Sequence, residues 1–196
     1  MTHAFSQRQS CERVIIAGFG GQGIILAGRL LSQVAMKANK EVTYMPAYGA
    51  EVRGGTSNCM VVYSENPIAS PVVSSPNSLL ILNKASLAKF GPRLSQHGLL
   101  IYNSSLIDTE PQGLDQATVL GVPADELAVQ LGNQRIANMV MLGAYLQARC
   151  QLTPGDAAAA LPDVLAKRYH HTIPTNIAAL QRGAEFTLCR TETKAI

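Results

Sequence analysis

A glycine-rich turn is the first feature of this sequence that could do chemistry. The segment GFGGQG follows an apolar run and has the spacing G-x-G-x-x-G. Glycines in such a turn permit positive φ and let a backbone approach a phosphate, while the amides and dipole of the next helix favour an anion. We therefore predict a phosphate-facing, cofactor-binding loop, although a tight connection that binds nothing has the same bare pattern. Its residues are Gly18, Gly20, Gly21, Gln22 and Gly23.

The acidic residue that should accompany a dinucleotide-binding turn is poorly placed. Glu41 follows Gly23 by about 18 residues, which is near the spacing of a carboxylate that holds an adenosine ribose. Such a carboxylate lies at the end of the second strand, whereas Glu41 lies at the beginning of the predicted strand. No Lys-Ser or Lys-Thr pair follows the glycines, so a Walker-type phosphate loop is not indicated. The residues therefore give little support to autonomous dinucleotide binding.

A polar connection between two predicted strands is the second candidate. It carries an aromatic hydroxyl, a carboxylate and a guanidinium, flanked by glycines that give the backbone freedom, and this combination can grip anionic or planar groups. An internal pair of Glu51 with Arg53 that only orders the loop is the competing interpretation. The candidate residues are Tyr48, Gly49, Glu51, Arg53, Gly54 and Gly55.

The other reactive side chains form no catalytic or metal-binding set. The four cysteines are Cys11, Cys59, Cys150 and Cys189. No two of them have the C-x-x-C spacing of a zinc or iron–sulfur site. We interpret Cys59 as a small buried thiol in a strand, and His170 and His171 as capping groups at a helix end. We expect no metal site, and no catalytic residue in this chain alone.

The amino-acid composition argues against several classes of protein. The 196 residues are 47% hydrophobic and 15% charged, with a formal net charge of +3. This is enough apolar material for a core, and too little charge for a disordered chain or a general nucleic-acid binder. No apolar stretch approaches the roughly 18 residues that span a bilayer, and residues 1–12 do not resemble a secretory signal. We expect a cytoplasmic protein that binds neither nucleic acid nor membrane.

The elements that must position these residues alternate between strands and helices. Residues 13–17 form a continuous apolar run that predicts a central parallel strand, and residues 24–37 have helical periodicity. A strand over 41–45 is expected to stop at Pro46. Further strands are predicted at 57–64, 79–82, 99–102 and 118–122, and helices at 86–94, 124–131, 133–149, 156–166 and 175–188. The expected fold class is α/β: a single Rossmann-like, doubly wound domain with a mostly parallel sheet, flanking helices and a helical C-terminal third.

Four ordered stretches resemble the gamma subunit, or gamma domain, of the 2-oxoacid:ferredoxin oxidoreductases. This family acts on pyruvate, 2-oxoglutarate, branched-chain oxoacids or indolepyruvate. The matching stretches are GFGGQGIILAGRLL, YMPAYGAEVRGGTSNCMVVYSENPIASPVV, NQRIANMVMLGA and TNIAALQRGAEF. The resemblance extends over residues 13–186 and is much more specific than the glycine turn alone. It implies a gamma-type domain at 13–188, between tails at 1–12 and 189–196.

The resemblance implies a subunit of a complex that oxidatively decarboxylates a 2-oxoacid, forms an acyl-CoA and passes electrons to ferredoxin or a similar acceptor. Such complexes use thiamine diphosphate, Mg²⁺, iron–sulfur clusters and coenzyme A. This chain lacks the G-D-G…N signature of thiamine diphosphate binding, so the resemblance places those sites on the alpha, beta and delta subunits or their fused equivalents. The gamma chain should be inactive alone and should complete a docking surface and part of the coenzyme A channel. Its exposed partner surfaces would allow a homodimer when the chain is isolated.

The resemblance also gives the polar connection a place at the active-site interface. Glu51 and Arg53 would orient that loop, and Tyr48 would face a partner or coenzyme A. Asn138, in an otherwise apolar helix, joins them as a candidate, because burying an unpaired amide costs about 1–3 kcal/mol. We favour a backbone partner within the chain for Asn138 over a subunit contact.

Two other functions remain as alternatives. One is an autonomous NAD(P)-dependent dehydrogenase built on the same strand, glycine turn and helix. The other is a non-enzymatic interaction module that keeps the fold without the complex. Micromolar binding of NAD(P) by the isolated chain would favour the first, and neighbouring reading frames with thiamine and ferredoxin motifs would argue against the second.

Replacing Arg53 with alanine should lower the turnover of the assembled complex and leave the isolated chain folded, because Arg53 is predicted to orient an interface loop. Steady-state kinetics of the complex and circular dichroism of the isolated chain test this together. Unchanged kinetics would remove Arg53 from the candidate residues.

Overall fold

The computed structural model describes residues 11–48 and 56–193, which form a six-stranded sheet with helices on both faces. The strands are β1 (Cys11–Phe19), β2 (Glu41–Tyr48), β3 (Thr56–Ser64), β4 (Ser78–Ile81), β5 (Leu99–Asn103) and β6 (Thr118–Val122). The helices are α1 (Ile24–Lys37), α2 (Lys84–Phe90), α3 (Ala124–Gln130), α4 (Ala137–Arg149), α5 (Pro154–Val164) and α6 (Ile173–Thr193). Three 3₁₀ turns lie at Gly91–Arg93, Gln134–Ile136 and Lys167–Thr172.

The sheet has the order β2-β3-β1-β4-β5-β6 and is mixed. Strands β1, β4, β5 and β6 pair in parallel, whereas β3 pairs antiparallel with both β1 and β2. The predicted fold class is confirmed, but β1 is parallel to its neighbour on one side only. An apolar run predicts burial of both faces and does not report the direction of the neighbouring strands.

The prediction that Pro46 stops the second strand is wrong. Strand β2 continues through Pro46, which pairs in register with Cys59, and ends at Tyr48. Proline is tolerated here because β2 is the edge strand, where one side of the backbone has no ladder partner to lose.

Successive residues of β1 enter two separate cores. Val14 and Ile16 lie in the larger core with helices α1, α4, α5 and α6, while Ile15 and Ala17 lie in a smaller core that includes Phe90 of α2. Both faces of the central strand are therefore covered, as the unbroken apolar run predicted. Within the part of the chain that the structure describes, no helix is long and apolar enough to cross a membrane.

Helices α4 and α6 meet at two glycines. A Cβ on Gly143 would overlap the carbonyl oxygen of Leu180, and a Cβ on Gly183 would overlap the carbonyl oxygen of Val140. The two backbones are thus in direct contact, which only glycine allows. This contact fixes the position of α4 against the rest of the helical layer.

A buried polar network lies at the amino end of β1. The carboxylate oxygen Oε1 of Glu12 accepts a hydrogen bond from Ser78 Oγ at 2.6 Å and forms an ion pair with Arg149 Nε at 3.1 Å. Burial raises the pKa of Glu12, although the neighbouring Arg149 acts in the opposite direction. Beside this pair, the buried hydroxyls of Tyr63 and Tyr145 share a hydrogen bond of 2.8 Å.

Gly143→Ala and Gly183→Ala should each lower the free energy of unfolding by about 1–3 kcal/mol, because a methyl group at either position forces the helices apart. Urea unfolding followed by circular dichroism measures the loss. Gly155→Ala in α5 is the matched control, since its Cβ would meet Thr153 Oγ1 at an ordinary 3.5 Å. Equal stabilities for all three variants would contradict the proposed close contact.

Candidate functional site

The glycine turn connects β1 to α1 at the carboxyl end of the parallel strands. Gly23 is the N-cap of α1 with a φ of 74°, a left-handed conformation that side chains rarely adopt. A Cβ at this position would also overlap the amide of Asn138. Both conformation and packing therefore require glycine at position 23.

The side chain of Gln22 closes the turn from within. Its Oε1 accepts the backbone N–H of Phe19 at 2.6 Å, and its Nε2 donates to the carbonyl of Leu82 at 3.4 Å. A Cβ on Gly18 would lie 2.5 Å from the same Oε1, so a glycine there makes room for this side chain. One amide of the turn thus already has a partner and is not offered to a bound phosphate.

Asn138 connects α4 to the glycine turn. Only 4% of Asn138 is exposed, and its Nδ2 donates to the carbonyl of Gly23 at 3.0 Å. The partner of this amide is therefore a backbone group within the chain, as favoured from the sequence. The structure brings together two segments that lie 115 residues apart in sequence.

A cavity of about 260 Å³ lies beside the turn, at the carboxyl ends of β4 and β5 and the start of α3. In open α/β sheets, ligands bind in the crevice outside the carboxyl ends of the strands. Residues lining the cavity include Gly21, Gln22, Leu82, Asn103, Asp125 and Arg135.

The charged groups of this cavity differ in whether they already have partners. The Asp125 carboxylate accepts hydrogen bonds from Asn103 Nδ2 and, at 2.9 Å, from Gln134 Nε2. The exposed guanidinium of Arg135 has no hydrogen-bond or ion-pair partner among residues 11–48 and 56–193. The cavity therefore offers a free cation beside the glycine turn, which suits an anionic group.

The cavity residues Asn103, Asp125 and Arg135 were not among the candidates predicted from the sequence. Two of them carry a recognisable signal, because Asn103 ends β5 and Asp125 lies three residues after the end of β6, in the first turn of α3. Polar residues at the carboxyl ends of parallel strands are expected to meet at one edge of the sheet. Arg135 lies within NQRIANMVMLGA, one of the stretches that carries the family resemblance.

Strand register places Glu41 far from the glycine turn. Glu41 is level with Ser64 and, across β3, with Cys11 at the amino end of β1. The turn begins at Gly18, seven residues further along β1 and about 23 Å away. Glu41 therefore does not take the part of a ribose-binding carboxylate.

The same strand register places both ends of the polar connection at the end of the sheet where the glycine turn lies. Tyr48 pairs with Ser57, which pairs with Gly18, and Thr56 pairs directly with Phe19. The connection between β2 and β3 thus begins and ends beside the glycine turn. The candidate residues that lie outside the described part of the chain are Gly49, Glu51, Arg53, Gly54 and Gly55.

Cys59 and His170 lie in surroundings that suit a structural role. Cys59 is fully buried, and burial raises the pKa of its thiol to about 12, which confirms the interpretation of a buried thiol. His170 Nε2 lies 3.0 Å from the carbonyl of Leu165, just after the end of α5. Over the two described ranges, no group of three or more His, Cys, Asp or Glu side chains is arranged to hold a metal ion.

A sequence model of the family described as "Pyruvate ferredoxin/flavodoxin oxidoreductase" matches residues 13–186. In fold, the chain is similar to the gamma subunit of a keto/oxoacid ferredoxin oxidoreductase from Geobacter sulfurreducens, with a TM-score of 0.80 at 26% identity. That alignment covers 92% of this chain and 98% of the Geobacter subunit.

Two relatives of known name are also similar in sequence. Ketoisovalerate oxidoreductase subunit VorA of Methanothermobacter thermautotrophicus is 42% identical over 134 residues, which are 68% of this chain and 28% of VorA. This chain thus spans less than a third of that relative. 2-oxoglutarate synthase subunit KorC of Methanocaldococcus jannaschii is 31% identical over 176 residues, which are 89% of this chain and 92% of KorC. These matches confirm the resemblance that the four sequence stretches indicated.

The isolated chain should show no saturable binding of NAD or NADP at micromolar concentrations, because Glu41 lies at the wrong end of β2 and Gln22 occupies an amide of the turn. Isothermal titration calorimetry with the oxidised and reduced forms of both nucleotides tests this. A micromolar dissociation constant for any of the four would restore the dehydrogenase alternative.

Proposed function

This chain belongs to the pyruvate ferredoxin/flavodoxin oxidoreductase family, and we propose that it is the gamma subunit of a complex that oxidises a 2-oxoacid to an acyl-CoA. The family match over residues 13–186 is the observation that carries the proposal. The chain aligns with 92% of KorC, which is named as a subunit, and with 28% of VorA. The gamma-type domain is proposed to extend over 13–188.

The proposed role of the chain is to complete the active-site region and not to catalyse the reaction alone. The groups that do the chemistry in this proposal, thiamine diphosphate with Mg²⁺ and the iron–sulfur clusters, lie on alpha, beta and delta subunits or fused equivalents. No group of three or more His, Cys, Asp or Glu side chains among the described residues is arranged as ligands of a metal ion or cluster. Thiamine diphosphate would supply the carbanion chemistry from those subunits.

The edge with the glycine turn is the part of this chain proposed to face that active-site region. Phe19 in the turn is 39% exposed and Leu106 beside the cavity is 41% exposed, so this edge offers apolar side chains to a partner. At the same end of the sheet, the guanidinium of Arg135, which has no partner among the described residues, suits a phosphate of coenzyme A or a carboxylate of a partner subunit. The connection with Glu51 and Arg53 is proposed to close over the same region, with Tyr48 at its start.

Other parts of the proposal concern the cell and the electron acceptor. We propose a cytoplasmic complex that passes electrons to ferredoxin or a similar acceptor through clusters on other subunits.

The cavity of about 260 Å³ is large enough for part of coenzyme A and not for the whole molecule, so the rest would lie against partner subunits.

A tagged form of the chain, purified from its native cell, should bring down partners that carry thiamine diphosphate and iron–sulfur clusters. The purified complex should reduce a low-potential dye in a reaction that requires coenzyme A and one acid from a panel of 2-oxoacids. The matched control is the tagged chain produced in a host without the partner subunits, which should show no activity. Recovery of the chain alone from its native cell, without activity on any acid, would contradict the proposal.

A further inference from the structure

The first turn of α1 accepts side-chain hydrogen bonds at three consecutive carbonyl groups. Asn138 Nδ2 donates to Gly23 at 3.0 Å, Cys59 Sγ donates to Ile24 at 3.5 Å, and Tyr44 Oη donates to Ile25 at 3.0 Å. Carbonyls at the start of a helix already accept the helical N–H groups, so these are additional bonds. Such bonds are not needed to form the helix.

The three donors come from three different elements. Asn138 lies on α4, Cys59 on β3 and Tyr44 on β2. The start of α1 is therefore held from the helical layer on one side and from both strands of the antiparallel hairpin on the other. Because Gly23 directly ends the glycine turn, the same bonds fix the turn.

Gly28 lets α1 approach the hairpin closely enough for these contacts. A Cβ on Gly28 would overlap the sulfur of Cys59 and would lie 3.1 Å from Cε2 of Tyr44. The thiol of Cys59 is a donor that stays protonated, since burial raises its pKa to about 12. The contact between α1 and the hairpin thus combines close packing with two hydrogen bonds.

The hairpin strands that supply Tyr44 and Cys59 also carry the connection between β2 and β3. Tyr44 lies four residues before Tyr48, where β2 ends, and Cys59 lies three residues after Thr56, where β3 begins. The bonds to α1 therefore link the glycine turn to the ends of β2 and β3 that lie beside it. A shift of the turn relative to these strands has to break the bonds.

We infer that Tyr44, Cys59 and Asn138 are positioning residues, which hold the glycine turn in a fixed place relative to the neighbouring ends of β2 and β3. Their effect on catalysis rests on the proposed function, in which this end of the sheet faces the active-site region. Their effect on the turn itself does not rest on it. The two effects can be measured separately.

Hydrogen exchange of the full-length chain tests the positioning. Tyr44→Phe removes the hydroxyl that donates to the carbonyl of Ile25, and amides of residues 18–29 should exchange about two- to tenfold faster, as expected for the loss of that hydrogen bond. Tyr63→Phe is the matched control, because it removes a hydroxyl and a hydrogen bond at the opposite end of the sheet. It should leave exchange of residues 18–29 unchanged. Wild-type exchange in Tyr44→Phe, or equal acceleration by both variants, would overturn the inference.

Kinetics of the assembled complex test the consequence for catalysis. Tyr44→Phe should lower kcat/KM for the 2-oxoacid or coenzyme A by about two- to tenfold, whereas Tyr63→Phe should not, even where its loss of stability is equal or larger. Cys59→Ala should act like Tyr44→Phe, and Cys59→Ser, which keeps a donor, should restore part of the loss. If the losses of kcat/KM parallel the losses of stability across all four variants, these residues have only a structural role. If the wild-type complex oxidises no 2-oxoacid, the proposed function fails, and the exchange experiment still decides the positioning.

Discussion

Helices α4 and α6 approach each other so closely that Gly143 and Gly183 leave no room for a side chain. The position of α4 follows from this contact, and the position of Asn138 follows from that of α4. Since the Asn138 amide is buried, it has to reach an acceptor, and it finds one in the carbonyl of Gly23. A backbone contact between two carboxyl-terminal helices thus determines where the amino-terminal glycine turn lies.

Local patterns predicted the elements that depend on local interactions. The helix predicted at 24–37 is α1, Ile24–Lys37, and the strand predicted at 118–122 is β6, Thr118–Val122. Thr153 forms the N-cap of α5, because its hydroxyl and the Asp156 carboxylate bond to each other's backbone amides within four residues. In each case the residues that decide the structure are neighbours along the chain.

Features that depend on distant residues could not be predicted in this way. The direction of β3 beside β1 and the edge position that lets Pro46 stay in β2 depend on how the sheet is assembled. For the site, the sequence pointed to the glycine turn and to Asn138, but no spacing rule connects two groups that lie 115 residues apart. The cavity residues Asn103 and Asp125 meet only because parallel strands bring their carboxyl ends to one edge.

The glycine turn shows why the motif alone does not establish dinucleotide binding. A dinucleotide site needs free amides at the turn and a carboxylate at the end of the second strand. Here Gln22 bonds to an amide of the turn, and Glu41 lies at the start of β2. The glycines are required for other reasons: Gly18 makes room for Gln22, and Gly23 allows the left-handed N-cap against Asn138. A turn that is closed and held by its own chain presents a defined surface to a partner, as the proposed role of completing another chain's active site requires.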